Sequence, residues 1–240
     1  MSARIAEKLM IDFSKFEGAA GVHFKDKSLL KQAFTHRSYV NESKISGLAH
    51  NERLEFLGDA VLELVVTEYL YSKYPNATEG DLTSYRSALV NAITLSEVAR
   101  NLNVNEFLLL SKGEAKDEGR ARLYILANTM EAIIGAIFID QGYESAKNFI
   151  SKNTFHLIDK IVENKTWLDS KSYFQEMAQE RTGITPSYKT LKEEGPDHDK
   201  HFTVGVYLEK ELVISGEGRS KQEAEQDAAR KALESKGWMK

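Results

Sequence analysis

Two stretches of this chain place oxygen-bearing side chains where they could hold a hard cation. The first reads Asn51-Glu52-Arg53-Leu54-Glu55-Phe56-Leu57-Gly58-Asp59. On a helix, Glu52, Glu55 and Asp59 fall within about 60° of arc. Like charges three and four apart destabilise a helix by roughly 0.2–0.5 kcal/mol per pair. A divalent cation between them reverses that sign, because carboxylate oxygen is the donor Mg²⁺ selects. The competing reading is a solvated acidic face, which Glu63 would extend.

The second stretch runs from Tyr124 to Ile139, YILANTMEAIIGAIFI. It is apolar almost all round, which predicts a buried helix. Yet Asn128 and Glu131 sit three apart on one side of it. A buried carboxylate without a partner costs several kcal/mol. A bound metal relieves that cost, and so does a salt bridge to Arg53 or Arg86. Two helices presenting Glu55, Asp59, Asn128 and Glu131 to one point could hold one or two Mg²⁺ ions. Such ions activate a water and stabilise the leaving oxygen in phosphodiester hydrolysis.

Other chemistries have little to work with. There are no cysteines, so disulfides, thiolate metal sites and a cysteine nucleophile are excluded. The six histidines share no spacing except His198 and His201, which belong to a loop beside a strand. The lack of cysteine fits a reducing compartment, and a cytoplasmic location is expected. The first eighteen residues are charged throughout and lack an apolar signal core. The longest apolar run, Ala132 to Ile139, is too short to span a bilayer, so no membrane association is expected.

The carboxylates need helices to position them, and the patterning supplies these. From Ile5 to about Ile158 apolar residues recur at three and four, as in Leu29, Leu30, Ala33 and Phe34. The spacing predicts an all-α domain of seven to nine helices over residues 5–158, with breaks at 42–50, 74–80 and 111–122. Residues 159–169 read as a linker. Residues 170–239 then change character. Ser170–Arg181 is predicted helical, with Tyr173, Phe174 and Met177 facing a core. Ser187–Glu194 is a candidate strand. In a second strand Phe202, Val204, Val206 and Leu208 alternate with Thr203, Gly205 and Tyr207. Glu209–Glu211 make a turn into a third strand, where Leu212 and Ile214 alternate. Ser220 and Glu223 spell a capping box before a last helix. Its face of Ala224, Ala228, Ala229 and Ala232 can lie close on a sheet. The order is α-β-β-β-α, a small α+β domain after an all-α one.

With these residues in view, the chain resembles the ribonuclease III family. His50 to Leu62, HNERLEFLGDAVL, is similar to the signature of that family's catalytic domain. The segments AFTHRSY (33–39), EGDLTSYRSALVN (79–91) and ILANTMEAIIGAIFID (125–140) agree with it. The second domain resembles a double-stranded RNA-binding domain, in Gly195-Pro196-Asp197-His198 and Gly218-Arg219-Ser220-Lys221. The resemblance implies a double-strand-specific endoribonuclease acting in rRNA and mRNA processing. It implies Glu55, Asp59 and Glu131 as metal-site carboxylates, with Asn128 in the fourth position and Mg²⁺, or Mn²⁺ in its place, as cofactor. Asp59 and Glu131 would be most tied to hydrolysis, with Glu52 and Glu79 near the scissile phosphate and Glu79 near a subunit interface. A homodimer would nick both strands, leaving 5′-phosphates, 3′-hydroxyls and short 3′ overhangs. Gln175 and Glu176 would face one minor groove of the duplex and His198 another, with Ser220 and Lys221 at the phosphates between them. This agrees with how A-form RNA is read, through shape, 2′-hydroxyls and phosphate spacing.

Two departures accompany the resemblance. Asn128 stands where the family commonly has Asp, and Gln222 follows Lys221 where a second lysine is usual. A catalytically silent duplex-binding protein is the alternative that Asn128 raises. The overall charge is also unusual for an RNA binder, at −4 with a pI near 5.9. Residues 1–166 carry 20 basic and 22 acidic side chains, and residues 167–240 carry 12 and 14. Any RNA contact therefore uses local basic clusters.

Overall fold

The three-and-four periodicity of the first domain is realised as nine α-helices between Ser14 and Thr154, among the residues described. The computed structural model describes residues 11–43, 45–163, 169–196 and 200–238. The chain divides into two units, Met1–Trp167 and Leu168–Lys240. In the first unit the helices are α1 (Ser14–Ala20), α2 (Lys27–Ala33), α3 (Arg37–Ser43), α4 (Glu52–Lys73), α5 (Glu79–Val90), α6 (Ala92–Asn101), α7 (Val104–Phe107), α8 (Arg120–Gln141) and α9 (Tyr143–Thr154).

The predicted breaks fall between helices, but five further breaks, at 21–26, 34–36, 91, 102–103 and 142, divide what reads as continuous helix. Asn91 turns the chain between α5 and α6 and caps α6, its side chain accepting from the Thr94 N–H. Asn103 takes a left-handed φ of 53° before α7, and Gly142 a φ of 82° between α8 and α9. A tenth helix, α10 (Ile158–Glu163), occupies the start of the stretch read as a linker. Its Ile158 is buried, and Asp159 meets Lys73 of α4 at 2.6 Å, which ties this turn to the first unit.

Helices α4 and α8, each 22 residues long, form the centre of this unit. Leu54, Val61, Leu62, Val65, Val66 and Leu70 bury one side of α4. Eleven residues of α8 are buried, as its apolar composition predicts. By length and composition α8 would pass for a membrane span, yet it is the core helix of the unit. Gly58 and Gly135 let the two backbones touch. A Cβ on Gly58 would overlap the carbonyl oxygen of Glu131, and one on Gly135 would overlap that of Leu54. The crossing point of the two helices is set there.

The second unit has the predicted order. Helix α11 (Ser170–Thr182) precedes β1 (Ser187–Glu194), β2 (His201–Leu208) and β3 (Glu211–Gly218), and α12 (Lys221–Lys236) ends it. The sheet is antiparallel in the order β1-β2-β3. Phe174, Met177, Val206, Leu208 and the Ala228, Ala229 and Ala232 face form the core. Gly216 and Gly218 admit α12 so closely that a Cβ on Gly216 would overlap the backbone of Ala228.

Two local expectations are corrected. Leu212 and Ile214 do not share a face. Tyr207 pairs with Leu212 and Val206 with Ile214, so Val213 is an extra residue and the pleat shifts by one. Leu212 is left exposed while Ile214 packs inward. The capping box is half made: Ser220 Oγ accepts from the Glu223 N–H at 3.1 Å, but Glu223 Oε2 accepts from Arg219 N instead of Ser220 N.

Candidate active site and nucleic-acid interface

The α4–α8 crossing brings together four of the oxygen-bearing side chains. Helix α4 starts at Glu52, behind the buried Asn51, whose amide donates to the Ala33 carbonyl at 3.2 Å. Glu52 and Glu55 thus lie in the first turn, where the helix dipole favours negative charge. Glu55 is half-buried and its pKa is raised, first by burial, then by Glu52 and Asp59; a hydrogen bond from Asn128 works the other way. Glu131, one turn along α8 from Asn128, is pushed up to about 8, first by burial and then by the charges of Asp59 and Glu55. Asp59 is exposed at the mouth of this group.

Among the described residues no ion pair neutralises the cluster. Arg86 donates to Thr67 Oγ1 at 3.0 Å, and Arg53 is exposed. Among the described residues Glu131 has no ion-pair partner, so the salt-bridge reading is not met. Glu63 lies on the exposed side of α4. The donor set is all oxygen, crowded and negatively charged, which suits a hard divalent cation in chemistry and charge. Among the described residues no three acidic or imidazole side chains already converge as a closed cage. The Asn128 amide donates to Glu55, which leaves its carbonyl oxygen available.

Two predicted residues stand differently. Glu52 is exposed, 3.5 Å from Arg37 Nη1 and 3.7 Å from His50 Nδ1. Glu79 opens α5 and is exposed, its carboxylate accepting from Thr83 Oγ1 at 3.2 Å. Among the described residues Glu79 shares no hydrogen bond with the other acidic residues of the site.

A cleft of about 470 Å³ lies beside the carboxylates. His36, Asn51, Glu52, Glu55, Glu114 and Asn128 line it, with Tyr124 at its side. Histidine spacing along the sequence says nothing of His36 in this place. The only local sign is Ser38, two residues on, which fixes the ring.

In the second unit, Gln175 and Glu176 are exposed on α11, on the opposite side from the buried Phe174 and Met177. Lys221 is exposed at the first position of α12, its Nζ 5.7 Å above the Phe202 ring. Ser220 is committed as the cap of that helix. Glu225 and Asp227 have local partners. Glu225 meets Lys171 at 2.6 Å, and Asp227 meets Arg230 at 2.6 Å and Lys231 at 2.7 Å. His198 lies outside the described residues, and His201 opens β2.

Comparison with known proteins agrees with this geometry. Residues 26–158 match the Ribonuclease-III-like family, and residues 170–236 match the double-stranded RNA binding motif. A ribonuclease 3 of Pelotomaculum thermopropionicum is 47% identical over 213 residues, covering 89% of this chain and 88% of that protein. A ribonuclease 3 of Enterococcus faecalis is 46% identical over 215 residues, covering 90% and 93%. The crystal structure of the nuclease domain of ribonuclease III from Campylobacter jejuni is 43% identical, with a TM-score of 0.54, and covers 63% of this chain and 96% of that one. A second structure of that domain, described for flexibility in its dimer-forming region, is 44% identical with a TM-score of 0.53, and covers 59% and 98%. Matched in both halves and alike to these relatives over nearly its whole length, the chain belongs to the ribonuclease III family.

Proposed function

We propose that this chain, an endoribonuclease acting on double-stranded RNA in RNA processing, cuts its substrate at the α4–α8 crossing with the help of Mg²⁺ or Mn²⁺. One observation carries the reading: Glu55, Asp59 and Glu131 crowd together, with Glu55 and Glu131 partly out of water and, among the described residues, no ion pair to any of the three. Glu55, Asp59, Glu131 and the carbonyl oxygen of Asn128 would hold the metal. When bound, it supplies the positive charge that lets an acidic cleft accept a phosphate and that eases charge onto the leaving oxygen. Asp59, exposed at the mouth, is placed to orient the attacking water. Glu131, in the driest position, would hold the metal firmly, because a carboxylate partly out of water has few other partners. Glu52 lies at the edge of the cleft, where the neighbouring strand enters. The non-catalytic alternative has no support, because Asn128 still offers an oxygen beside three intact carboxylates.

The same reading includes a homodimer. Phe56, Leu64 and Tyr71 are 82%, 58% and 74% exposed along one side of α4, and Ile93 of α6 is 62% exposed. So much bare apolar surface on one small unit is suited to a two-fold interface. Glu79 would act near that boundary. Each site of the dimer would cut one strand, which accounts for short 3′ overhangs; water attacking phosphorus with the 3′ oxygen leaving accounts for 5′-phosphate and 3′-hydroxyl ends. The second unit adds duplex affinity through Lys221, Ser220, Gln175, Glu176 and His198, reading shape and phosphates. The test is a gel of labelled duplex RNA with Mg²⁺, with Mn²⁺ and with excess EDTA. Cutting is expected in the first two lanes only; equal cutting in EDTA overturns the metal reading.

A further inference from the structure

The cleft beside the carboxylates has one wall built with unusual care, and it rests on His36. The ring is half-buried. Its Nδ1 is 2.8 Å from Ser38 Oγ and receives the Ser38 backbone N–H at 3.3 Å. A backbone N–H pointing at Nδ1 requires a lone pair there. Ser38 Oγ in turn accepts from the Ser111 N–H at 3.1 Å, so its own hydrogen is free to turn toward Nδ1. The ring proton must then sit on Nε2. No described residue accepts from Nε2, and the ring lines the cleft.

The turn that brings Glu114 to the cleft is held just as firmly. Glu42 Oε2 accepts from Lys112 N at 2.7 Å, and Ser111 Oγ accepts from Glu114 N at 3.2 Å. Arg122 donates to the Glu114 carbonyl at 2.6 Å and to Asn105 Oδ1 at 2.7 Å. These bonds fix the turn that carries Glu114 against the end of α3. Burial lowers the His36 pKa, with the charges of Glu114 and Glu52 opposing it. A neutral ring with a single N–H thus faces carboxylates.

That combination selects its ligand. The Asn51 amide is already used on Ala33, and Asn128 on Glu55. A phosphate oxygen only accepts, so beside His36 it would have no hydrogen to offer Glu52 and Glu114. A hydroxyl can accept from Nε2–H and donate to a carboxylate at once. We propose that this cleft receives a ribose 2′-hydroxyl of the RNA strand beside the scissile phosphate, with His36 donating to it and Glu52 or Glu114 accepting from it. The inference rests on the endoribonuclease reading and adds a reason, inside the cutting unit, for refusing DNA.

The experiment pairs substrate and protein changes. Duplexes carrying a single 2′-deoxy nucleotide, scanned across the positions flanking the cut, are cleaved in Mg²⁺ by the full chain, by His36→Ala and by His36→Gln. At one position the parent should slow on the order of tenfold, the worth of one such hydrogen bond. His36→Ala should be slow on the all-ribose duplex and indifferent to that same deoxy substitution. His36→Gln, which keeps an amide donor near Nε2, should regain part of the discrimination. If His36→Ala keeps the parent's full sensitivity at every position, the inference falls while the endonuclease reading stands. If the parent cuts no duplex, the endonuclease reading itself falls. A nitrogen–proton correlation spectrum of the histidine-labelled parent gives a measurement free of activity and of any folding defect in a variant. It should show His36 protonated on Nε2, and an Nδ1–H ring overturns the proposal.

Discussion

Replacing Glu131 by glutamine probes the electrostatics of the α4–α8 crossing with the least change of shape. In the metal-free chain Glu131 is pushed up to about 8 from an ordinary 4.5, by burial first and by Asp59 and Glu55 after it. The folded chain therefore keeps this proton over a pH range in which the unfolded chain has lost it. A folded pKa above the unfolded one adds stability that is full below about pH 4.5 and is lost as pH rises through about 8. At about 1.36 kcal/mol per decade, the loss between about pH 5.5 and about pH 8.5 comes to about 3 kcal/mol. The amide of Glu131→Gln does not titrate, so groups that do not interact with Glu131 cancel when parent and variant are compared, and the difference reports Glu131 with its coupling to Asp59 and Glu55. Urea unfolding in EDTA at those two pH values is the assay. The parent should lose about 3 kcal/mol more than the variant on going to the higher pH, and Mg²⁺ should shrink that gap. Cleavage should be abolished in the variant with duplex affinity nearly unchanged. A parent–variant difference that is the same at both pH values would refute the reasoning, because Glu131 would then be solvated or paired.

Gly58→Ala should cost several kcal/mol, since its methyl would overlap the Glu131 carbonyl, and should cut the cleavage rate far more than the same change at the open Gly18; thermal melts with single-turnover rates check both. Asn128→Asp should lower the Mg²⁺ concentration for half-maximal cleavage and slightly destabilise the metal-free chain, because it adds charge to a crowded site; superimposed Mg²⁺ titrations would count against Asn128 as a ligand. Phe56→Ser should shift sedimentation toward a monomer at micromolar concentration, since that ring is 82% exposed on the single chain. Lys221→Ala should weaken duplex binding similarly for unrelated sequences and flatten its salt slope by about one.

What the amino-acid sequence determined is what depends on neighbours along the chain. The turn-by-turn spacing of Glu52, Glu55 and Asp59, and of Asn128 and Glu131, follows from helical periodicity alone. So do the strand alternation of Val204, Val206 and Leu208 and the alanine face of α12. Those patterns also carried the family resemblance, and hence the function. Tertiary structure decided which helices meet and how closely. Gly58 and Gly135 lock α4 to α8 because neither carries a side chain, and a missing side chain leaves no periodic signal. The raised pKa of Glu131 comes first from its burial between the packed helices and then from Asp59 and Glu55 beside it, both products of that lock. The bulge at Val213 turns Leu212 outward through pairing with β2, which a single strand cannot report. The bond from Ser111 to Ser38, which aims His36 into the cleft, joins segments far apart in sequence. Periodicity is a property of one element; proximity is a property of two, settled by where their backbones can touch.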